Sequence, residues 1–229
     1  MLEARRRGIP ITIHRPGRIT GDAHTGLCNR DDFLFRMIKG CLQLHCYPEI
    51  RWQEKCAPVD WTAAAIVLLS TQRRSLVNGN GGLNFHLVSQ EPFLWRDMFR
   101  WVGECDWNRP LLTQLAQASN TPASQIAAAD AQLVRLHELG QQWKEVSFEA
   151  WDELLGKSGG VGDTDENVQN AMYALRPLLK EVSADNSMPS FSCTNTYDLL
   201  RSTTLSCPPM DRLLLHTYLK AQQDWFLER

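Results

Sequence analysis

Long apolar runs, charge of one dominant sign and paired cysteines are all missing from this 229-residue chain, and each absence removes a class of protein. No segment approaches the roughly 20 apolar residues of a membrane span. Residues 1–8 are charged, and the apolar run after them is broken by Pro10 and Arg15, so no signal peptide is read. Net charge is −2, which gives no argument for bulk affinity toward nucleic acid. None of the seven cysteines, Cys28, Cys41, Cys46, Cys56, Cys105, Cys193 and Cys207, forms a C-x-x-C pair. No Cys or His cluster has zinc spacing, and the adjacent His45 and Cys46 would point apart on a helix, so no metal site is expected. An odd thiol count without a framework predicts reduced cysteines in a cytoplasmic protein. Internal repeats and long low-complexity tracts are absent as well.

What is present suits a globular protein: 43% hydrophobic and 22% charged residues supply enough apolar side chain for a sizeable core. Residues 2–7 (LEARRR) read as a helix tail whose cations complement the helix dipole before the stop at Gly8. Residues 11–14 (ITIH) are β-branched enough for a strand, which Pro16 and Gly17 end. A helix is expected over 31–44, with Asn29 or Asp31 as its cap and Phe33, Met37, Cys41 and Leu44 on one face. As a catalytic pair, Asp31 and Asp32 are less favoured than as first-turn carboxylates. A second helix covers 57–70, introduced by Pro58 and capped by Asp60. A strand is expected over 83–89 after the turn-rich NGNGG, and a helix over 94–103.

From about residue 110 the pattern is helical, at 110–118, 122–139, 147–155, 165–182, 195–202 and 209–227, with no strand expected. Residues 156–167 (GKSGGVGDTDEN) read as a linker. No strand precedes them, and Asp163, Asp165 and Glu166 would repel the phosphate that a glycine loop cradles. The eight tryptophans are expected in the core or at interfaces. Sparse strands alternating with helices indicate an α/β class, yet two strands make only an incomplete parallel sheet.

The run RGIPITIHRPGRITGDAHTGLCNRDDFLFRMIKGCLQL closely resembles the thioester reductase domains that terminate nonribosomal peptide and polyketide assembly lines, including carboxylate and aminoadipate reductases. It carries Arg15-Pro16-Gly17-Arg18-Ile19, Gly21-Asp22, Thr25-Gly26, Asn29, Asp32-Phe33 and Lys39-Gly40 in the order of that family. The blocks PVDW (58–61), FHLVSQEPFLWRDMFRWV (85–102), EVSFEAWDELL (145–155) and CPPMDRLLLHTYL (207–219) continue the resemblance over nearly the whole chain. These domains are extended short-chain dehydrogenase/reductases. The resemblance therefore implies the C-terminal part of a Rossmann-like fold: residues 1–105 a remnant of the NAD(P)-binding domain, residues 106–229 a mostly helical substrate lid and carrier-docking region.

The resemblance also implies chemistry: NADPH-dependent reduction of an acyl or peptidyl thioester, presented on the phosphopantetheine arm of a carrier protein, to an aldehyde or alcohol. Its glycine-rich fingerprint does not occur here. Neither does its Tyr-x-x-x-Lys pair, because Tyr47, Tyr173, Tyr197 and Tyr218 all lack Lys four residues on. Catalytic residues are accordingly expected outside this chain, as in a separate N-terminal half, with the chain inactive alone. By the same resemblance, Arg15, Pro16, Gly17 and Arg18 form the loop past the nicotinamide, with Arg18 toward phosphate or the carrier arm. Phe33, Arg36 and Met37 are the candidates for the substrate pocket, although their spacing is equally that of a core face. Two further readings stay open: a non-catalytic carrier-docking module, and a piece of a fatty acyl-CoA reductase-like or epimerase-like relative.

Overall fold

The computed structural model describes residues 11–71, 84–107, 143–159, 169–180 and 191–227, together with residues 3, 6, 7 and 9. The expected helices at 110–118 and 122–139, most of 2–7 and the linker from 160 onward lie outside the described residues.

Strands β1 (Ile13–Pro16) and β2 (Arg18–Thr20) flank Gly17. Helix α1 (Phe33–Leu44) leads into β3 (Cys46–Pro48), β4 (Gln53–Glu54), β5 (Cys56–Pro58) and helix α2 (Val59–Thr71). Then come β6 (Asn84–Leu87), β7 (Phe93–Leu94) and α3 (Trp95–Gly103). The later described part holds β8 (Lys144–Val146), α4 (Phe148–Lys157), a 3-10 turn at Tyr173–Leu175, and α5 (Arg176–Lys180). Helices α6 (Thr194–Leu200), α7 (Arg212–Ala221) and α8 (Gln223–Leu227) close it.

The strands associate in pairs. β1–β6, β2–β5 and β3–β8 are parallel, and β4–β7 is antiparallel. The α/β class with an incomplete parallel sheet is what the structure has. It adds five strand segments of two or three residues, and a strand at 144–146, to those the sequence pattern predicts. The last corrects the expectation of a strandless second half: three residues at 144–146 pair with Cys46–Pro48 far upstream, beyond the reach of local alternation.

Helix α1 is capped by Asp32, whose carboxylate accepts the Leu34 N–H at 2.8 Å. Asn29 and Asp31, the expected caps, stand outside it: the Asn29 side chain instead accepts the Asp31 N–H in a preceding turn. His45 ends the helix in the left-handed region at φ 56°. Nor is Asp60 a cap of α2. Its carboxylate accepts the Ala23 N–H at 3.0 Å across the 21–28 loop. The helix expected over 165–182 does not extend over 169–172. Asn170 and Ala171 run across α1 instead, bonded to Gly40 O and the Gln43 side chain. A Cβ at Gly40 would sit 2.7 Å from Met172 Cγ, so glycine is what permits this approach. The expected 209–227 helix is broken at Gln222.

Two buried clusters result. The larger joins α1, α3, α4 and α7 through Phe35, Ile38, Phe99, Trp151 and Tyr218. The smaller, Ala57, Trp61, Leu69, Phe85, Leu87 and Leu200, lies where α2 and α6 meet β5 and β6. Five of the eight tryptophans are buried, as expected of core residues.

The edge of β6 is closed by side chains. Three consecutive residues of α6 donate to alternate carbonyls along the strand: Asn195 to Asn84 at 3.2 Å, Thr196 to His86 at 2.8 Å, and Tyr197 to Val88 at 2.8 Å. The two-residue period of the strand faces these carbonyls away from β1, and the helix satisfies them without offering another strand. β1 has no second strand neighbour among the described residues.

Candidate functional site

Parallel strands of an open sheet place ligands beyond their carboxyl ends. For β1 and β6 that place is the Pro16–Gly17 turn and residues 88–91. Gly17 N–H bonds Leu87 O at 3.1 Å. A Cβ on Gly17 would fall 2.1 Å from Val88 Cγ1, so the turn closes onto Val88 only because the residue is glycine.

Of the residues expected in this loop, Arg15, Pro16 and Gly17 are exposed. Arg18 turns inward. Its guanidinium lies 3.1 Å from the buried Glu54 carboxylate and 3.7 Å from Asp32, and sits over the Phe33 ring at 5.3 Å. The Arg18 cation is thereby engaged by two carboxylates of its own chain. Phe33 packs edge-on to Trp95, Arg36 donates to Ala171 O at 2.8 Å, and Met37 is fully buried. Arg18 and Phe33 are therefore brought together, while Arg36 holds the segment at Ala171 and Met37 lies in the core.

Beside this turn lies a cavity of about 390 Å³, walled by residues 89–91, by Tyr197 and Leu200 of α6 with Arg201 just after it, and by Thr203 and residues 205–207. None of its residues is among the expected site residues. The available signal is position: Ser89 and Cys207 fall within the family-like blocks FHLVSQ and CPPMDR. The Cys207 thiol is pushed up to about 12 by burial, so it is neutral and a poor nucleophile. Burial raises the other six thiols too, and Cys28 and Cys105 also reach about 12. Nothing here supports cysteine nucleophilic catalysis. Among the described residues no cluster of His, Cys, Asp and Glu is arranged to hold a metal, and no helix is long and apolar enough to cross a membrane.

On the opposite flank the 21–28 loop is locked to α7. Gly26 has φ 75°, and a Cβ there would lie 2.4 Å from Thr217 O. The Tyr218 hydroxyl donates to Gly21 O and meets Thr20 Oγ1, both at 3.1 Å. Asp22 accepts from the backbone and hydroxyl of Thr25 and from His24 N–H.

A family described as Male sterility protein, with an NAD-binding designation, matches residues 1–66. A linear gramicidin synthase polypeptide of Brevibacillus parabrevis is 42% identical over 91% of this chain and 3% of its own length. Glycine betaine reductase ATRR of Emericella nidulans is 37% identical over 99% of this chain and 14% of its own. The solved terminal R domain of the myxalamid pathway matches 99% of this chain and 47% of itself, at 26% identity and a TM-score of 0.68. The homologues and structural neighbours of this chain are reductase domains of nonribosomal peptide synthetases, in the extended short-chain dehydrogenase/reductase superfamily. The chain spans about half of the solved domain and a small fraction of the curated relatives. A Mycobacterium tuberculosis reductase domain, 15% identical at a TM-score of 0.57, shares the fold.

A dinucleotide needs its pyrophosphate at a strand-to-helix turn rich in free N–H groups and free of anions. The described turns do not fit. β5–α2 passes through Pro58 and carries Asp60 in the first helical turn, β7–α3 carries Asp97, and β8–α4 carries Glu149. Each carboxylate opposes phosphate.

Proposed function

We propose that this chain forms the substrate-facing part of a reductase that releases a carrier-bound acyl or peptidyl thioester as an aldehyde or alcohol, and that it is inactive by itself. The nicotinamide cofactor expected for such a reductase, NADPH, would be gripped by groups these 229 residues do not supply. The observation that carries the reading is the match of 99% of the chain to one solved terminal reductase domain at a TM-score of 0.68. In support, the turn after β1 and the cavity after β6 lie where open parallel sheets hold ligands. Residues 1–105 are read as the remnant of the nucleotide-binding unit and residues 106–229 as the lid and carrier-docking region.

The chain's own contribution is then shape and hydrogen bonding. Arg15, Pro16 and Gly17 present an exposed turn of fixed backbone, and Arg18, clamped by Glu54 and Asp32, holds that turn against the start of α1 and Phe33.

The test is NADPH consumption with a pantetheine-linked acyl thioester. The chain alone is expected to show no thioester-dependent loss of NADPH. A reductase domain completed with the residues that carry a glycine-rich turn and a Tyr-x-x-x-Lys helix should turn over. Thioester-dependent oxidation by the chain alone would refute inactivity. A completed domain that reduces free sugars or acyl-CoA, but no carrier-borne thioester, would refute the substrate class.

A further inference from the structure

We propose that Tyr197 is a positioning residue for the ligand-side turn at Gly17, and that it acts on the turn through Val88. This role rests on the reductase reading and adds to it a residue far from the loop in sequence that sets where the loop stands.

Gly17 is the point at which the chain leaves one strand pair and enters the next: Ile13–Pro16 lies against β6, and Arg18–Thr20 lies against β5. The Gly17 N–H bonds Leu87 O at 3.1 Å, and β6 ends at that residue. Beyond this bond, the next side chain fixes the turn. Val88 is buried, and its Cγ1 fills the space that a Cβ on Gly17 would need. A displacement of residue 88 therefore reaches the turn by direct contact, since close-packed groups transmit strain.

Residues 88–91 lie past the strand, and side chains hold them. The Tyr197 hydroxyl donates to Val88 O at 2.8 Å and accepts the Gln90 N–H. A carbonyl and an N–H two residues apart are the pair that one residue of a parallel neighbour would engage, so a single hydroxyl extends the order of the sheet past its last strand residue. The ring end is fixed as well: it stacks on Trp61 of α2, with centroids 6.3 Å apart and planes 20° apart, and Trp61 is itself buried. The Cys207 thiol bonds both Tyr197 and Ser89 beside it. The Tyr197 hydroxyl is thus engaged within the chain, which suits it to hold backbone in place and not to touch a ligand.

Tyr197→Phe keeps the ring and its stacking on Trp61 and removes only the hydroxyl. In the isotopically labelled full chain, hydrogen exchange followed by NMR should quicken about 10-fold or more at the Gly17 and Gln90 amides, while the Gly26 N–H, bonded to Asp22 O on the opposite flank, stays within about twofold. Val88→Ala keeps the carbonyl for Tyr197 and removes the side chain that meets Gly17. It should quicken exchange at Gly17 and spare Gln90, and adding Y197F to it should change Gly17 little further. Circular dichroism verifies that each variant is folded, and V88A carries the test if Y197F is not. Gly17 exchange unchanged in either folded variant, or effects of the two substitutions that simply add at Gly17, would overturn the proposal. In a completed reductase domain, Y197F should lower kcat per folded molecule about 10-fold or more with KM for NADPH and thioester within about threefold, because a shifted turn misaligns bound reactants. An unchanged kcat would also overturn it. A parent domain inactive on carrier thioesters sinks the reductase reading alone, since the amide exchange decides the role of Tyr197 without turnover.

Discussion

Thr196→Val tests whether side chains close the sheet at β6. Thr196 is fully buried, and its hydroxyl donates to His86 O at 2.8 Å. Valine has nearly the same shape, so the packing against β6 survives while the hydrogen bond does not. The His86 carbonyl is left facing a methyl group, and an unsatisfied buried acceptor costs about 1–3 kcal/mol. For a chain of this length each kcal/mol lowers Tm by about 2–4 °C, so a fall of about 3–10 °C is expected. Asn195→Ala, at an exposed position, should cost less, below about 1 kcal/mol. The assay is thermal melting with concentration-dependent light scattering, because an unsatisfied strand edge recruits other edges. If T196V melts at or above the parent temperature without added scattering, the helix is not what satisfies β6.

Gly26→Ala meets both a φ of 75° and a contact of 2.4 Å with Thr217 O, so a loss of about 1–3 kcal/mol is expected in urea unfolding; a neutral result would mean that the 21–28 loop is not packed on α7. Arg18→Met leaves Glu54 buried without its cation and should cost about 3 kcal/mol or more, whereas the double variant R18M/E54L should recover most of it; equal losses in the single and double variants would contradict the pairing. Burial raises the Cys28, Cys105 and Cys207 thiols to about 12, above the roughly 8.5 of an unfolded thiol. The native state then holds protons that the unfolded state releases, so this stability is complete below about pH 8.5 and declines as pH rises toward about 12, by up to about 1.4 kcal/mol per pH unit for each thiol. Urea midpoints measured across that range should fall, and a flat profile would contradict the burial of these thiols.

Helix α1 is readable because Phe33, Met37, Cys41 and Leu44 recur at helical spacing over 12 residues. Its cap is not. Asn29, Asp31 and Asp32 are all capping types, and only the extended backbone of Asp32, at φ −65° and ψ 141°, selects among them. The short strands escape for a related reason. Two or three residues cannot display alternation, and Cys46–Pro48, Cys56–Pro58 and Lys144–Val146 become strands through partners dozens of residues away. The candidate site is split in the same manner. The Gly17 turn is visible as a Pro-Gly signal in a familiar block. The cavity depends on Ser89 meeting Tyr197 and Cys207 more than a hundred residues later, a meeting set by the three donors of α6 along β6. No spacing rule connects such residues.

The burial that conceals the site from sequence also limits what it does. Chemistry at neutral pH needs a group poised to lose or gain a proton, or a cation aimed at developing charge. Around the Gly17 turn the inward-facing cation, Arg18, is held between Glu54 and Asp32. Burial keeps the Cys207 thiol protonated and raises the Tyr197 hydroxyl well above its ordinary range. Both of these groups therefore remain neutral, and neither is poised as base or nucleophile. The division of labour follows from these environments: the described side chains around the Gly17 turn hold the backbone in shape, and proton and hydride transfer require groups of a different electrostatic character.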